Sequence, residues 1–280
     1  MAESADDRGH YAIRGGIEGR NRLRVVARVM HAGTYAFLDR LEIAEGQVCV
    51  DVGCGGGDVT RELARRVGAS GLVIGIDIDP TKIELATAES RELGIGNVEF
   101  RLSDIRKEKE SLGADLIYAR FLLTHLPEPE QTLHSFHSHL QPGGRLAVED
   151  IDFSAHLVHP DAKASRRYQQ LYRDVVRRKG GDADIGPRLP MLLKNAGFGD
   201  IEVDVIQPMG LEGDVKLLNP LTMEAIADSV IEEGLASREE IDRVIEELYS
   251  IAADTETLAG VPRVFQVSGR RPFRPLPSAE

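Results

Sequence analysis

Between Gln47 and Val148 the chain alternates short, β-branched apolar runs with stretches of helical periodicity, and this alternation constrains the fold more than any other feature. Gln47-Val-Cys-Val-Asp-Val52, Leu72-Val-Ile-Gly-Ile76, Asn97-Val-Glu-Phe-Arg101, Asp115-Leu-Ile-Tyr118 and Arg145-Leu-Ala-Val148 read as five strands. Asp79 and Pro80 supply the cap and first turn of a helix after the second run, which closes near Gly94. A helix carrying Leu133, Phe136 and Leu140 precedes the fifth, and Pro142-Gly-Gly144 is expected to turn the chain into it. Runs this apolar, joined by short loops and helices, predict βαβ units. They imply an α/β three-layer sandwich whose mostly parallel sheet is covered on both faces.

The pattern changes after Asp152. Helices are expected over Arg20–Leu41, Ala162–Lys179, Leu189–Asn195 and Thr222–Glu233, with another opened by the capping box Ser237-x-x-Glu240. Strands are expected at Ile201–Ile206 and Arg263–Val267. The helices outside the βαβ core have room only at the edge or top of the sheet, as a lid. A single domain is therefore expected over residues 20–269, with a core at 47–152 and helical additions at 153–200 and 211–258. Residues 1–19 read as a partly flexible N-terminal segment, and 270–280, with three prolines, as a flexible tail.

Composition narrows the partners. The net charge is −12, which opposes a protein that grips nucleic-acid phosphates or a polybasic membrane anchor. Two cysteines, Cys49 and Cys54, make neither a disulfide framework nor a zinc cluster and suit a reducing cytoplasm. No apolar h-region opens the chain, and no apolar stretch approaches the ~18 residues of a membrane span.

The chemistry concentrates where the first strand must turn into a helix, at Asp51-Val-Gly53-Cys-Gly55-Gly-Gly57. Glycines there permit positive φ and a close approach of backbone to ligand. A tight turn alone would also use them. A dinucleotide fingerprint needs a glycine three residues after Gly55, and Asp58 stands there. Asp51 would also repel a pyrophosphate, which weakens the nicotinamide-oxidoreductase reading. The same carboxylate suits a cationic, phosphate-free ligand such as S-adenosylmethionine, an attraction of a few kcal/mol at an effective dielectric of about 20. Asp77 ends the second strand, 24 residues after Gly53, where an acid accepts from ribose hydroxyls. Helix capping, its other use, is already met by Asp79. Ser103-Asp104-Ile105 follows the third strand: Asp104 either accepts from an adenine amino group, with Ile78 and Ile105 over the ring, or caps the next turn.

With Leu140-Gln-Pro-Gly-Gly144 before the fifth strand, these motifs make residues 47–152 resemble the class I S-adenosylmethionine-dependent methyltransferases, in particular the ubiquinone/menaquinone-biosynthesis type. The resemblance implies a Rossmann-like, seven-stranded sheet whose last strand is antiparallel. It also implies S-adenosylmethionine as cofactor, S-adenosylhomocysteine as product, and a binding set of Asp51, Gly53, Cys54, Gly55, Asp77, Ile78, Ser103, Asp104, Ile105, Ala119 and Arg120. Tyr11 and Arg14, beside Gly15 and Gly16, either close over the cofactor or form an ordinary turn.

The acceptor is harder to read, because methyl transfer mostly needs alignment. His125 is the candidate base, with packing near Pro127 as the competing use. Arg120 either orients an anionic acceptor or pairs with Asp150. Asp150 and Asp152 could ligate a metal, but no acid follows the fourth strand, so no metal is expected. His134, His137 and His139 are expected on a solvated helix face, as is the basic cluster Arg166-Arg167…Arg177-Arg178-Lys179. His156 and His159 are candidates for the pocket wall. Tyr168 and Tyr172 read as core or as an aromatic wall. No Asn/Asp-Pro-Pro-Tyr/Phe motif follows the fourth strand, as nucleobase and amide methyltransferases have it. The expectation is a cytoplasmic small-molecule O-methyltransferase that binds no nucleic acid and does not insert in a membrane, its oligomeric state open with a homodimer as the candidate. C-methylation of a quinone-like ring, or S-adenosylmethionine binding without transfer, are the alternatives.

Overall fold

The computed structural model describes Ala12, Ile13 and residues 16–108 and 110–273. Strand β1 (Val48–Val52) lies between β2 (Leu72–Asp77) and β4 (Ala114–Arg120), parallel to both, with Asp51 in register with Gly75 on one side and Tyr118 on the other. β3 (Val98–Leu102) and β5 (Leu140–Asp152) extend the parallel sheet outward. β10 (Arg263–Arg270) then inserts antiparallel between β5 and the edge strand β7 (Gly199–Ile206), giving the order β3-β2-β1-β4-β5-β10-β7. This is the Rossmann-like sheet with one antiparallel strand that the sequence motifs imply. Three short strands, β6 (Val158–His159), β8 (Met209–Gly210) and β9 (Leu258–Gly260), form a separate small sheet.

Alternating residues of the strands feed two cores. Val50, Ile74, Ile117 and Val148 meet α4 (Pro129–His139) and α6 (Leu189–Asn195) on one face. Cys49, Val73, Leu116 and Tyr118 meet α2 (Asp58–Val67) and the C-terminal half of α1 (Gly16–Arg40) on the other. α3 (Pro80–Glu92) is capped as expected, Asp79 accepting from the Thr81 amide at 2.9 Å, and packs on β2 and β3. A third core lies over the carboxyl end of the sheet, where α1, α5 (Lys163–Arg178), α7 (Asp214–Glu232) and α8 (Arg238–Ala253) pack on one another. These are the expected additional helices, and Ala12 and Ile13 are buried among them.

Two boundaries differ from expectation. Pro142–Gly144 does not end before the fifth strand; it lies inside β5, where the pairing with β4 shifts register. The Gly143 amide donates to Arg271 and the Arg271 amide to Gly144, so backbone beyond β10 extends the ladder there. α7 starts at Asp214 and runs through Pro220. Proline removes an internal hydrogen bond and ordinarily stops a helix. Here burial of Lys216, Leu218, Asn219 and Pro220 outweighs that loss, and the Lys216 ammonium donates to the carbonyls of Leu211, Asp254 and Thr257 at 3.0, 2.5 and 2.7 Å.

Candidate active site

The strand ends β1 and β2 build the floor of a cavity of about 450 Å³. Gly53, Gly55 and Gly57 all take positive φ (72°, 54° and 74°), which a side-chain-bearing residue would resist. The loop is tied down by Gly53 and Cys54 amides donating to Ile76 and by the Gly55 amide donating to Asp77 at 2.9 Å. Asp77 also accepts from the Asp79 amide at 3.0 Å, so its carboxylate holds the loop and the start of α3 together. Asp51 is buried and accepts from the Thr60 hydroxyl at 2.6 Å. Burial pushes its carboxyl up to about 7; the Thr60 bond and Arg120 oppose the rise while Asp58 and Asp77 add to it. Cys54 borders the cavity with its thiol pushed well up, chiefly by burial.

The walls nearest β3 and β4 hold the other sequence candidates. Ser103, Asp104, Ile105 and Ile78 all line the cavity; Ile105 is buried and Ile78 half-open to solvent. Asp104 caps the turn at Ile105–Lys107 through the Arg106 amide at 3.0 Å and pairs with the Arg106 guanidinium at 2.7 Å. Its capping use is therefore present in this arrangement. Ser103 donates to Glu108. Ala119 packs inside the sheet and is absent from the cavity wall. Arg120 does line it, but pairs with Asp58 at 2.8 Å rather than with Asp150. The reason is geometric: Asp150 is consumed by the backbone amides of Thr124 (3.0 Å) and Ile151 (2.9 Å), while Asp152 accepts from Arg263 and Ser154. Glu149, immediately before Asp150, is buried and accepts from Thr34, Gln266 and Tyr118, knitting α1, β10, β4 and β5 together. Among the described residues no group of three His, Cys, Asp or Glu side chains gathers as a metal site.

His125 lines the cavity, but burial, reinforced by Arg22 and Lys82, pushes its imidazole down to about 3. It is neutral at physiological pH and a feeble proton acceptor. Tyr11 and Arg14 lie outside the described residues.

The far side of the cavity belongs to the additional helices. Tyr168 and Tyr172 are at once core residues and cavity wall, joined there by Phe153. Phe153 and Tyr172 stack with centroids 4.0 Å apart and planes 7° from parallel, and Tyr168 meets both edge-on. The sequence reading missed Arg22, Asn219 and Thr222, which come from α1 and α7. His156 sits behind the wall, hydrogen-bonded to Asn219 Oδ1 at 2.9 Å, and His159 is exposed. The histidines of α4 are not a uniform solvated face. His134 is exposed, His137 packs edge-on to Phe198, and His139 is buried because its position turns inward with Phe136. Of the basic cluster, Arg166 pairs with Asp161, Arg167 with Glu240 at 2.7 Å, Arg177 with Asp174 at 3.2 Å and Lys179 with Glu233 at 3.7 Å.

Residues 43–194 match the profile of a methyltransferase domain family, more than half of the chain. The chain belongs to the class I S-adenosylmethionine-dependent methyltransferases. It is 34% identical over 163 residues to an uncharacterised 37.1 kDa protein in transposon Tn4556 of Streptomyces fradiae, covering 58% of this chain and 46% of that one. It is 33% identical over 137 residues to the ubiquinone/menaquinone biosynthesis C-methyltransferase of Escherichia fergusonii, covering 47% of this chain and 52% of that one. The matches thus span about half the length of these curated relatives. A solved structure of the [4+2]-cyclase SpnF shares the fold, with a TM-score of 0.54 and 19% identity over 86% of this chain and 81% of that one.

The floor of the cavity fits the family's cofactor in its donor chemistry. Asp51, Asp58, Asp77, Asp79 and Asp104 all line it, an acidic set that would repel a phosphate and attract a cation. The positive-φ glycines leave a side-chain-free edge beside those carboxylates. Among the described residues no helix is long and apolar enough to cross a membrane.

Proposed function

We propose that this protein transfers a methyl group from S-adenosylmethionine to an oxygen of a small, largely apolar metabolite in the cytoplasm. One observation carries the reading: a single cavity joins the acidic, glycine-edged floor at Asp51 and Asp77 to an aromatic chamber at Phe153, Tyr168 and Tyr172. Clefts at the carboxyl ends of parallel strands are where such folds hold ligands. S-adenosylmethionine, when bound, supplies an electrophilic methyl carbon on a sulfonium leaving group.

The chain's own residues divide the work. Asp51 attracts the cofactor's cationic end, Asp77 accepts from ribose hydroxyls while anchoring Gly55, and Ile78 and Ile105 cover the adenine beside Asp104. Ser103, Cys54 and Gly53 complete that wall, and the Arg120–Asp58 pair closes the end nearest β4. The chamber aligns the acceptor and excludes water, effects that together amount to roughly 7–11 kcal/mol in well-oriented reactions. Oxygen is favoured over carbon because methylation of a ring carbon must expel a proton. Among the described residues His125 is the only imidazole on the wall; it is held near 3 and accepts one poorly. An ionised oxygen needs no base. C-methylation remains the second reading, favoured by the name of the Escherichia fergusonii relative.

The SpnF likeness is a reminder that this fold also serves a protein named as a cyclase, so transfer itself needs a direct test. Incubation with S-adenosylmethionine carrying a ¹³C methyl group and a panel of hydroxylated aromatic metabolites should yield products with a methoxy carbon resonance. A ring-methyl resonance would overturn the oxygen assignment. Tight cofactor binding with no labelled product from the panel or from a metabolite extract would favour the non-transferring alternative.

A further inference from the structure

Among the described residues four cationic side chains border the cavity besides His125, and three of them are matched by carboxylates. Arg106 pairs with Asp104 at 2.7 Å, Arg120 with Asp58 at 2.8 Å, and Lys82 lies 4.0 Å from both Asp77 and Asp79. The fourth, Arg22 on α1, differs. Its Nε donates to Thr222 Oγ1 of α7 at 3.1 Å, and among the described residues no carboxylate lies within ion-pair distance of it. It is half-buried beneath the helical roof, and its charge reaches the acceptor side, where it opposes protonation of His125 and favours ionisation of Tyr168. A guanidinium presented to a largely apolar cavity without a counter-charge is a binding site for an anionic oxygen, which it grips through paired N–H donors.

A second, independent feature lies beside it. Asn219 is buried one helical turn before Thr222, and its Oδ1 accepts from His156 Nε2 at 2.9 Å. That bond fixes the amide so that Nδ2, a donor only, is the group left for the cavity, where no protein acceptor meets it among the described residues. Two sets of donors thus converge on the chamber. The aromatic wall excludes the opposite charge. A cage for an ammonium group needs open ring faces. Here Phe153 and Tyr172 each spend a face on the other at 4.0 Å, and Tyr168 stands edge-on to both.

We infer that the methyl acceptor is a flat, apolar molecule bearing one ionised oxygen group, a carboxylate or an acidic phenol or enol, seated on Arg22 and the Asn219 amide with its ring against Phe153, Tyr168 and Tyr172. This inference rests on the proposed methyl transfer and names its substrate class.

The test uses the full chain saturated with S-adenosylhomocysteine, titrated calorimetrically with 2-naphthoate and with the neutral isostere 2-naphthamide. A charge-assisted contact of this kind makes naphthoate bind about ten-fold tighter or more. Arg22→Gln should erase that preference while leaving S-adenosylhomocysteine affinity within about two-fold, and its retained cofactor binding certifies that it folds. Asn219→Leu should weaken naphthoate several-fold in the same direction, an independent reading should Arg22→Gln not fold. Equal binding of the two probes, or of neither, overturns the inference. So does a ten-fold loss of S-adenosylhomocysteine affinity in Arg22→Gln, which would assign the guanidinium to the cofactor's own carboxylate. If wild-type protein binds no S-adenosylhomocysteine, the methyltransferase reading fails by itself, and the same probe pair without it still judges the anion site.

Discussion

Replacing Asp51 by asparagine should make the cofactor-free protein more stable and the cofactor bind worse. The Asp51 carboxyl rises from an ordinary 3.8 to about 7, mainly because burial penalises the charged form. At about 1.4 kcal/mol for each tenfold change, this costs the folded state about 4 kcal/mol once the group is ionised. The sign follows from which state holds the proton more tightly. With the folded value raised, the protein loses stability as pH climbs from about 4 to about 7, and the loss is complete above that. Asparagine does not titrate, and its Oδ1 can still accept from Thr60, whose hydroxyl lies 2.6 Å from Asp51. The gap between Asp51→Asn and wild type should therefore grow from about 1.5 kcal/mol at pH 5 to about 4 kcal/mol at pH 8. Urea unfolding of both proteins at the two pH values, without cofactor, measures the gap. Titration with S-adenosylmethionine at pH 8 supplies the functional half. A variant no more stable than wild type at pH 8, or a gap unchanged between pH 5 and 8, would refute the reasoning. Either would mean that the carboxylate is satisfied where it stands.

Three further outcomes follow from the same geometry. Asp77→Ala strips the acceptor from the Gly55 and Asp79 amides and should lower S-adenosylmethionine affinity by about ten-fold or more; unchanged affinity by calorimetry would remove Asp77 from the ribose. Because His125 is held near 3, the pH profile of kcat/KM should show no limb near 6.5 from this group, and His125→Gln should keep the wild-type profile shape. A limb present in wild type and lost in the variant would make the imidazole a base after all. Lys216→Met leaves three carbonyls without their donor, that of Thr257 among buried residues, and should cost about 3 kcal/mol in urea unfolding, whereas an unshifted midpoint would mean that the clip contributes nothing.

The half of the molecule that carries the cofactor motifs was legible because its determinants are local. A β-branched run buried on both faces reads as a strand wherever it occurs, and a glycine cluster at its end reads as a positive-φ loop from composition alone. Asp51, Asp77 and Asp104 then fall at the ends of neighbouring strands by topology. The other half depends on contacts that periodicity cannot assign. Arg22 and Thr222 meet across 200 residues of chain. A helical repeat says that each has an apolar face but not which helix covers it. Lys216 reads as surface by residue type, yet it is buried to satisfy carbonyls near Leu211, Asp254 and Thr257 that no pattern announces. Pro220 misplaces the start of α7 for the same reason: packing with α1 and α5 overrides a local rule. His139 differs from His134 only in which way its turn of α4 faces.

The net charge of −12 describes the whole surface and conceals an ordered arrangement inside the cavity. Among the described residues five aspartates border it, where a cationic cofactor would lie, and the one guanidinium there with no carboxylate in ion-pair reach stands among the roof helices. In the proposed reaction a sulfonium and an anionic oxygen become a thioether and a neutral ether or ester. The acidic floor then faces one positive charge less, the cofactor product keeping its ammonium, and Arg22 faces one negative charge less. Asp51, whose ionisation costs the folded protein about 4 kcal/mol, is best compensated before transfer and less well after it. Arg22 likewise regains an uncompensated charge. In that reaction the electrostatics that gather the two reactants therefore hold both products less tightly than the reactants.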